Sequence, residues 1–250
     1  VTEEYDTAGN LTKYDYDPQG RVRRIERHNE YGGGTEIIEE IIDYDPYGNL
    51  VRAVDGNGHV TRYTYDNADR RTQTFVSVAT TAEYEGYDYE VNVQYDEAGN
   101  VTQVEDPRGN ITKYHYYNND LLEWEKDPYD KYTYYYYDES GNIERVTDRR
   151  NHDTNYEYYK NDWLWKVINA KDETTTYDYD GAGNRDWIKD AKGNVFTITY
   201  DGANQLRHET LEGSGIDTWY RYDEAGNLEE VEDDDGNVTT YFYDALNRRK

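Results

Sequence analysis

Three kinds of residue in this chain could do chemistry: clustered carboxylates, scattered histidines and aromatic rings. The carboxylates are the densest. Asp178-Tyr179-Asp180-Gly181-Ala182-Gly183-Asn184 and Asp233-Asp234-Asp235-Gly236-Asn237 look like oxygen-rich loops, with Asp178, Asp180, Asp233 and Asp235 as candidate calcium ligands. An EF-hand loop also needs a bidentate Glu at its twelfth position, and counting from Asp178 that position is Lys189. The EF-hand reading fails, which leaves generic cation binding against a purely structural job for these acids. His28, His59, His115, His152 and His208 are dispersed and have no partner at motif spacing. A nucleophile elbow, a phosphate loop and a dinucleotide fingerprint are all missing, so the expectation is a protein without catalytic residues. Trp124, Trp163, Trp165, Trp187 and Trp219 could stack on sugars, with packing as the competing use. Asn10, Asn100, Asn110 and Asn237 each start an Asn-x-Thr sequon, a pattern that the repeat described below generates by itself.

Composition bounds the partners. The chain has 250 residues, 54 acids against 27 Lys and Arg, and a net charge of −27. Such a surface repels phosphates, which speaks against nucleic acid and anionic membranes and favours solubility, cation binding or a high-salt habitat. No apolar run reaches membrane-spanning length, so no membrane insertion is expected. Cys is absent, which excludes disulfides and thiolate metal sites. Met is absent too, so Val1 is no translation start and the chain is expected to be a processed product or a piece of something longer. High charge alone would suggest disorder, but 31 residues are Tyr and aromatics make up 16%. The expectation is an ordered protein whose core is built from Tyr.

The elements that position these residues come from a repeat. Asp-x-x-Gly recurs along the chain, mostly with Tyr before it and Asn after it, as in YDEAGNV at 95–101, YDESGNI at 137–143 and YDEAGNL at 222–228. The leading Tyr falls at Tyr5, Tyr16, Tyr44, Tyr65, Tyr95, Tyr116, Tyr137, Tyr158, Tyr179, Tyr200, Tyr222 and Tyr243, and from Tyr95 to Tyr200 every step is 21 residues. A fixed period near 20 means a repeat array. Within one unit, Asp96 to Asn100 and Asp106 to Asn110 read as turns, and the stretches after them as short strands. Asp at the first turn position, Pro at the second and Gly at the fourth suit a type I turn; Pro18, Pro46, Pro107 and Pro128 each directly follow an Asp. The structural turn residues are therefore Asp96, Gly99, Asp106, Gly109, Asp138, Gly141, Asp180, Gly183, Asp223 and Gly226. Between turns, Thr112, Tyr114 and Tyr116 alternate with Ile111, Lys113 and His115, the period-2 strand pattern.

Three further patterns refine this. Leu228-x-x-Val231, Ile143-x-x-Val146, Val101-x-x-Val104 and Val22-x-x-Ile25 carry apolar residues three apart, on opposite faces of a flat strand unless a bulge intervenes. Full Gly-Asn turns after Tyr95, Tyr137, Tyr179 and Tyr222 alternate with degenerate ones reading YNNDL, YKNDW, DGANQ and DALNR, which points to a unit near 42 residues. The rhythm fails near 26–43, with Gly32-Gly33-Gly34, and near 73–94, with Thr80, Thr81, Glu83, Tyr84, Glu85 and Gly86. These insertions are expected to be longer hairpin tips or functional loops. Glu36 to Ile42 reads as a helix or a longer strand.

These residues resemble the YD-repeat family, also called the rearrangement-hotspot (RHS) family. The resemblance rests on Tyr-Asp-x-x-Gly-Asn-Leu and the following Asp-x-x-Gly-Asn-x-Thr-x-Tyr-x-Tyr, as in 222–243, and covers nearly the whole chain. The family's Arg after Gly appears here mainly as Asn, with Arg21 an exception. The resemblance implies a spiral β-sheet, which in bacterial polymorphic toxins and insecticidal toxin complexes forms a shell around a toxic domain; teneurins and wall-associated bacterial proteins carry related arrays. No segment here resembles a self-cleavage region or a toxin domain.

The expected fold is all-β, a single array over 1–250 of antiparallel β-hairpins built on 21-residue YD repeats, about twelve units, forming a spiral or curled sheet. Neither end has a polar cap, so the expectation is self-association through uncapped sheet edges or contact with adjoining repeats of a longer chain. The expected function is a non-catalytic scaffold of a secreted or cell-surface protein, as an extracellular fibre or part of an RHS-type shell. The alternative is a glycan- or calcium-binding repeat module.

Overall fold

The computed structural model describes every residue except 8, 32, 33, 78–88 and 214, and the backbone alone over 29–31 and 34–39. Among the described residues the chain is all β, with 22 strands and no helix. The strands fall into two units, Val1–Tyr132 and Thr133–Lys250. In the first unit, each strand from Thr2–Tyr5 to Leu122–Lys126 pairs antiparallel with the next along the chain. In the second, the same succession runs from the strand ending at Tyr137 to Val238–Thr240. This is the hairpin array that the turn chemistry and period-2 stretches predict.

The turns follow one plan. At 96–100, Asp96 N–H donates to Asn100 C=O at 3.0 Å and Gly99 N–H donates to Asp96 C=O at 3.2 Å. That pair of bonds closes a type I turn followed by a left-handed residue, and Gly99 has φ +101°. The strand that leaves a turn of the Tyr-Asp kind then carries a bulge. Tyr222 pairs with Leu228, Arg221 with Glu230 and Tyr220 with Val231, so Glu229 is the extra residue. Tyr220 and Tyr222 are two apart on one face, and the bulge puts Leu228 and Val231 opposite them on that face. Tyr137–Ile143 with Tyr135–Val146 repeats the arrangement, as do Tyr95–Val101 with Val93–Val104 and Tyr16–Val22 with Tyr14–Ile25. The spacing of three is thus one apolar face interrupted by a bulge.

The leading tyrosine has a second task. Tyr116 Oη donates to Val101 C=O at 2.9 Å, the first residue of the neighbouring strand. Tyr65 to Leu50 (2.8 Å), Tyr158 to Ile143 (2.9 Å), Tyr179 to Leu164 (3.0 Å), Tyr200 to Arg185 (3.0 Å) and Tyr243 to Leu228 (3.0 Å) repeat it fifteen residues back, and Tyr95 to Arg71 (2.9 Å) twenty-four back. Phenylalanine could supply the ring but not this bond, which is a reason for the repeat to use Tyr.

Two expectations need correction and one open choice is resolved. The predicted Tyr core is not an enclosed one: among the described residues no large side chain is fully buried, and only Val60 and Ser77 count as buried. The tyrosines pack sideways along the sheet, half-buried against neighbouring strands, because the array lays hairpins side by side. Second, Glu36 to Ile42 is strand, within Gly34–Tyr44, paired with Val22–Tyr31 on one side and Leu50–Val54 on the other. The insertion near 26–43 is therefore a hairpin with arms of 10 and 11 residues instead of the usual five or six. Third, Tyr5 stands 11 residues before Tyr16, so its turn at 6–10 lies at the opposite strand ends from the turn at 17–21. Of the insertion near 73–94, the flanking strands Arg71–Ser77 and Tyr89–Tyr95 pair with each other; Thr80, Thr81, Glu83, Tyr84, Glu85 and Gly86 lie outside the described residues.

Candidate functional site

The repeated turn is the densest polar constellation in the chain. At 180–184, Asp180 Oδ1 accepts the N–H groups of Ala182 and Asn184, both at 2.9 Å, and Oδ2 accepts Asn184 Nδ2 at 3.0 Å. The turn at 223–227 matches it: Asp223 takes Ala225 N–H at 2.9 Å, Asn227 N–H at 2.8 Å and Asn227 Nδ2 at 2.9 Å. Asp106 accepts from Arg108 and Asn110, Asp138 from Ser140 and Asn142, and Asp96 from Gly99 and Asn100. Gly109, Gly141, Gly183 and Gly226 hold φ between +77° and +92°. The Asn after Gly, a substitution for the family's Arg, thus closes the ring on the second carboxylate oxygen. These bonds hold the carboxyls below their ordinary value; for Asp180, Asp223 and Asp106 the Asn amide is the largest cause and the backbone N–H of the same Asn follows.

The full and degenerate turns are coupled. Asn100 Nδ2 also donates to Asp120 Oδ1 at 2.8 Å, Asn142 to Asp162 at 2.9 Å and Asn49 to Asp69 at 2.7 Å. Asn184 reaches Asn204 at 3.2 Å and Asn227 reaches Asn247 at 3.1 Å. Each acceptor stands in a degenerate turn where a full turn has Gly, and each takes the left-handed conformation, φ +57° to +63°. Asp and Asn tolerate that conformation better than other side chains, so the degenerate turns exchange a glycine for an acceptor. The last residue of a degenerate turn reaches the next full turn in return. Arg70 Nη1 donates to Asp96 C=O at 2.8 Å, Gln205 Nε2 to Gly226 C=O at 3.0 Å, and a Cβ on Gly183 would lie 2.9 Å from Trp163 Cζ2. Sequence reasoning found the near-42-residue alternation but not this contact, whose signal is Asp or Asn exactly two turns' worth of sequence away, twenty residues after each Asn.

The remaining candidates separate. Asp178 and Asp180 flank Tyr179; Asp180 is the turn cap, while among the described residues Asp178 accepts only the Tyr179 N–H at 2.9 Å and the Tyr159 hydroxyl at 3.4 Å. Asp233 caps its turn with both oxygens, and Asp235 contributes its own N–H to Asp233 at 3.1 Å. Among the described residues no group of three or more His, Asp or Glu is arranged to hold a metal ion. Trp124 stacks on His115 at 5.3 Å and Trp219 on His208 at 3.8 Å, each across a strand pair. Trp163 packs on Tyr179 at 5.0 Å, and Trp165, 39% exposed, leans on Tyr159 at 6.1 Å. Trp187 stands opposite Asp178. Asn100, Asn110, Asn10 and Asn237 all spend their side-chain amide on the turn Asp.

By fold this is a repeat array of β-hairpins. Residues 44–74 and 222–250 match the family described as RHS Repeat, and these two stretches carry RHS (YD) repeats. No curated protein matches the sequence. Among solved structures, a chain of the Photorhabdus luminescens Tc holotoxin pore superposes over 99% of this chain with a TM-score of 0.78 at 17% identity. A chain of TcdB2-TccC3 without the hypervariable C-terminal region gives 0.78 over 99% at 17% identity, and one of TcdB2-TccC3-Cdc42 gives 0.75 over 96% at 17% identity. In each case this chain spans 15% of the other chain's length.

Proposed function

We propose that this chain is a length of structural wall: a non-catalytic β-repeat scaffold of an RHS-type shell belonging to a secreted or cell-surface toxin complex. Its repeats are read as one continuous array over 1–250, curling as a spiral sheet and joined to further repeats on a longer chain. The observation that carries this is the coupling between successive turns, Asn to Asp or Asn twenty residues on. It ties full and degenerate turns together in pairs along one side of the sheet, which is what a wall requires and a catalytic pocket does not. The likeness to Tc toxin chains supports the same reading at the level of fold.

Size-exclusion chromatography with light scattering, followed by electron microscopy of the isolated chain, tests it. Curved, soluble particles that neither extend indefinitely nor hydrolyse a general substrate panel are expected. Filaments would favour an extracellular fibre instead, and retention on a glycan array a binding module.

A further inference from the structure

Where an acid stands on the rung just before a repeat tyrosine, on either strand, this sheet usually sets a cation across from it. Asp43 stands opposite Arg52, whose Nη1 donates to Asp43 Oδ2 at 2.9 Å. Glu157 stands opposite Lys166, with Nζ to Oε1 at 2.9 Å, and Arg221 opposite Glu230, which also pair. Arg24 reaches Asp15 across the same rung at 3.9 Å. Asp178 differs from the other acids on these rungs among the described residues, because the residue opposite it is Trp187.

Nothing nearby replaces the lost cation. Among the described residues Asp178 has no ion-pair partner within 4 Å, and neither does Asp186, the bulge residue skipped between Trp187 and Arg185. Burial and then the charge of Asp178 push the Asp186 carboxyl up, as expected of two acids that repel each other. Arg185 lies 4.5 Å over the Tyr177 ring and 5.9 Å from the centre of the Tyr179 ring, and among the described residues it pairs with neither acid. Beside the two acids lies a depression of about 380 Å³ lined by Tyr159, Lys160, Asn161, Trp163, Asp178 and Tyr179. Lys160 stands exposed at its rim and pairs with neither acid.

The aromatic wall is also particular to this place. In two other repeats the leading tyrosine receives a guanidinium from the last residue of the preceding turn on the same side: Arg21 lies 4.4 Å over Tyr44 and Arg70 4.8 Å over Tyr95. Here Trp163 takes the place of that Arg and Tyr159 the place of the capping Asp, so two aromatic rings border Tyr179 where those two repeats have a cation and an acid. Tyr159 remains exposed, and its hydroxyl makes only long bonds of 3.3 and 3.4 Å. Aromatic faces beside uncompensated carboxylates suit a flat, delocalised cation.

We propose that Tyr159, Tyr179, Asp178 and Asp186 form a recognition site for an arginine side chain of a partner polypeptide. The guanidinium stacks on the exposed Tyr159 ring and donates to the Asp178 and Asp186 carboxylates, supplying the charge that Arg52 and Lys166 supply on the equivalent rungs.

The test is titration of the chain with a short, blocked peptide carrying two arginines, followed by tryptophan fluorescence and by NMR of the aromatic region. Saturable binding that weakens with salt is expected, and D178N/D186N should weaken it about fivefold. E97Q/E139Q, which removes the same charge from exposed turn tips, controls for general attraction to an acidic protein and should leave binding unchanged. Equal loss in both double variants would reduce the effect to net charge and overturn the site. So would retention of binding in D178N/D186N, or a preference for neutral oligosaccharides over the peptide. Circular dichroism on each variant checks folding, and Y159F, which keeps the stacking ring, should bind nearly as well as the parent.

Discussion

Asn142 Nδ2 donates to Asp162 Oδ1 at 2.9 Å, joining two turns that are twenty residues and a whole hairpin apart. The same amide holds Asp138 in its own turn at 3.2 Å. One side chain therefore closes a turn and fastens it to the next.

If that bond couples the turns, Asn142→Ala should lower stability by about 1 kcal/mol, a usual value for a net hydrogen bond. Asp162→Gly keeps the left-handed backbone and removes only the acceptor. Denaturant melts of the two single variants and the double variant form a cycle. The double variant should lose less than the sum; strict additivity would mean that the turns are independent.

Gly183 and Gly193 have nearly the same backbone, φ +92° and +89°, but different surroundings. A Cβ at Gly193 meets nothing within 4 Å, whereas at Gly183 it meets Trp163 at 2.9 Å. Gly193→Ala should cost about 1–2 kcal/mol for the left-handed conformation alone. Gly183→Ala should cost about 1–3 kcal/mol more, because Trp163 must move off its seat. Thermal melts compare them directly, and equal losses would show that Trp163 is not held there.

The tyrosine hydroxyls can be tested one at a time. Tyr158 Oη donates to Ile143 C=O at 2.9 Å, and its replacement by Phe should cost about 1 kcal/mol. Tyr156, two residues earlier on the same strand, has no such bond among the described residues, so Tyr156→Phe should change the melting point little.

Acid and alkali should act on different groups. The turn carboxyls, Asp180, Asp223 and Asp106 among them, sit below their ordinary value of 3.8 because the folded turn donates N–H groups to them. Their contribution is complete above that value and is lost as the pH falls through the folded one. Melting temperature should therefore hold through mildly acidic pH and drop below about 4. Tyr220 runs the other way: burial, then its hydrogen bond to Glu209, push it up to about 12. Its contribution is complete below the ordinary 10.0 and is lost as the pH rises toward 12. Absorbance titration of phenolate should show a late class of tyrosine, and Glu209→Gln should bring it earlier.

Much of the architecture was legible because it is local. Asp at the head of each turn, Gly three residues on and Tyr before them act within five residues, and turn type, strand length and hairpin succession follow from them. The spacing of Leu228 and Val231 left open a bulge or two partly covered faces, and the pairing at Glu229 supplies the bulge. Less was legible about the candidate site. Asp178 and Asp180 look equivalent as letters, yet one is spent on its turn and the other is left without a cation, and that difference depends on which residue the neighbouring strand places opposite.

The sequence by itself thus determined the repeat, the all-β class and the turn chemistry, since each rests on contacts between residues a few positions apart. Only the tertiary structure decided which turns touch. Asn142 meets Asp162, Trp163 meets Gly183 and Trp187 faces Asp178 because antiparallel pairing sets residues from separate turns and strands side by side. It also decided that the tyrosines have no enclosed interior to fill, since hairpins laid edge to edge bury side chains against their lateral neighbours and leave each half in water.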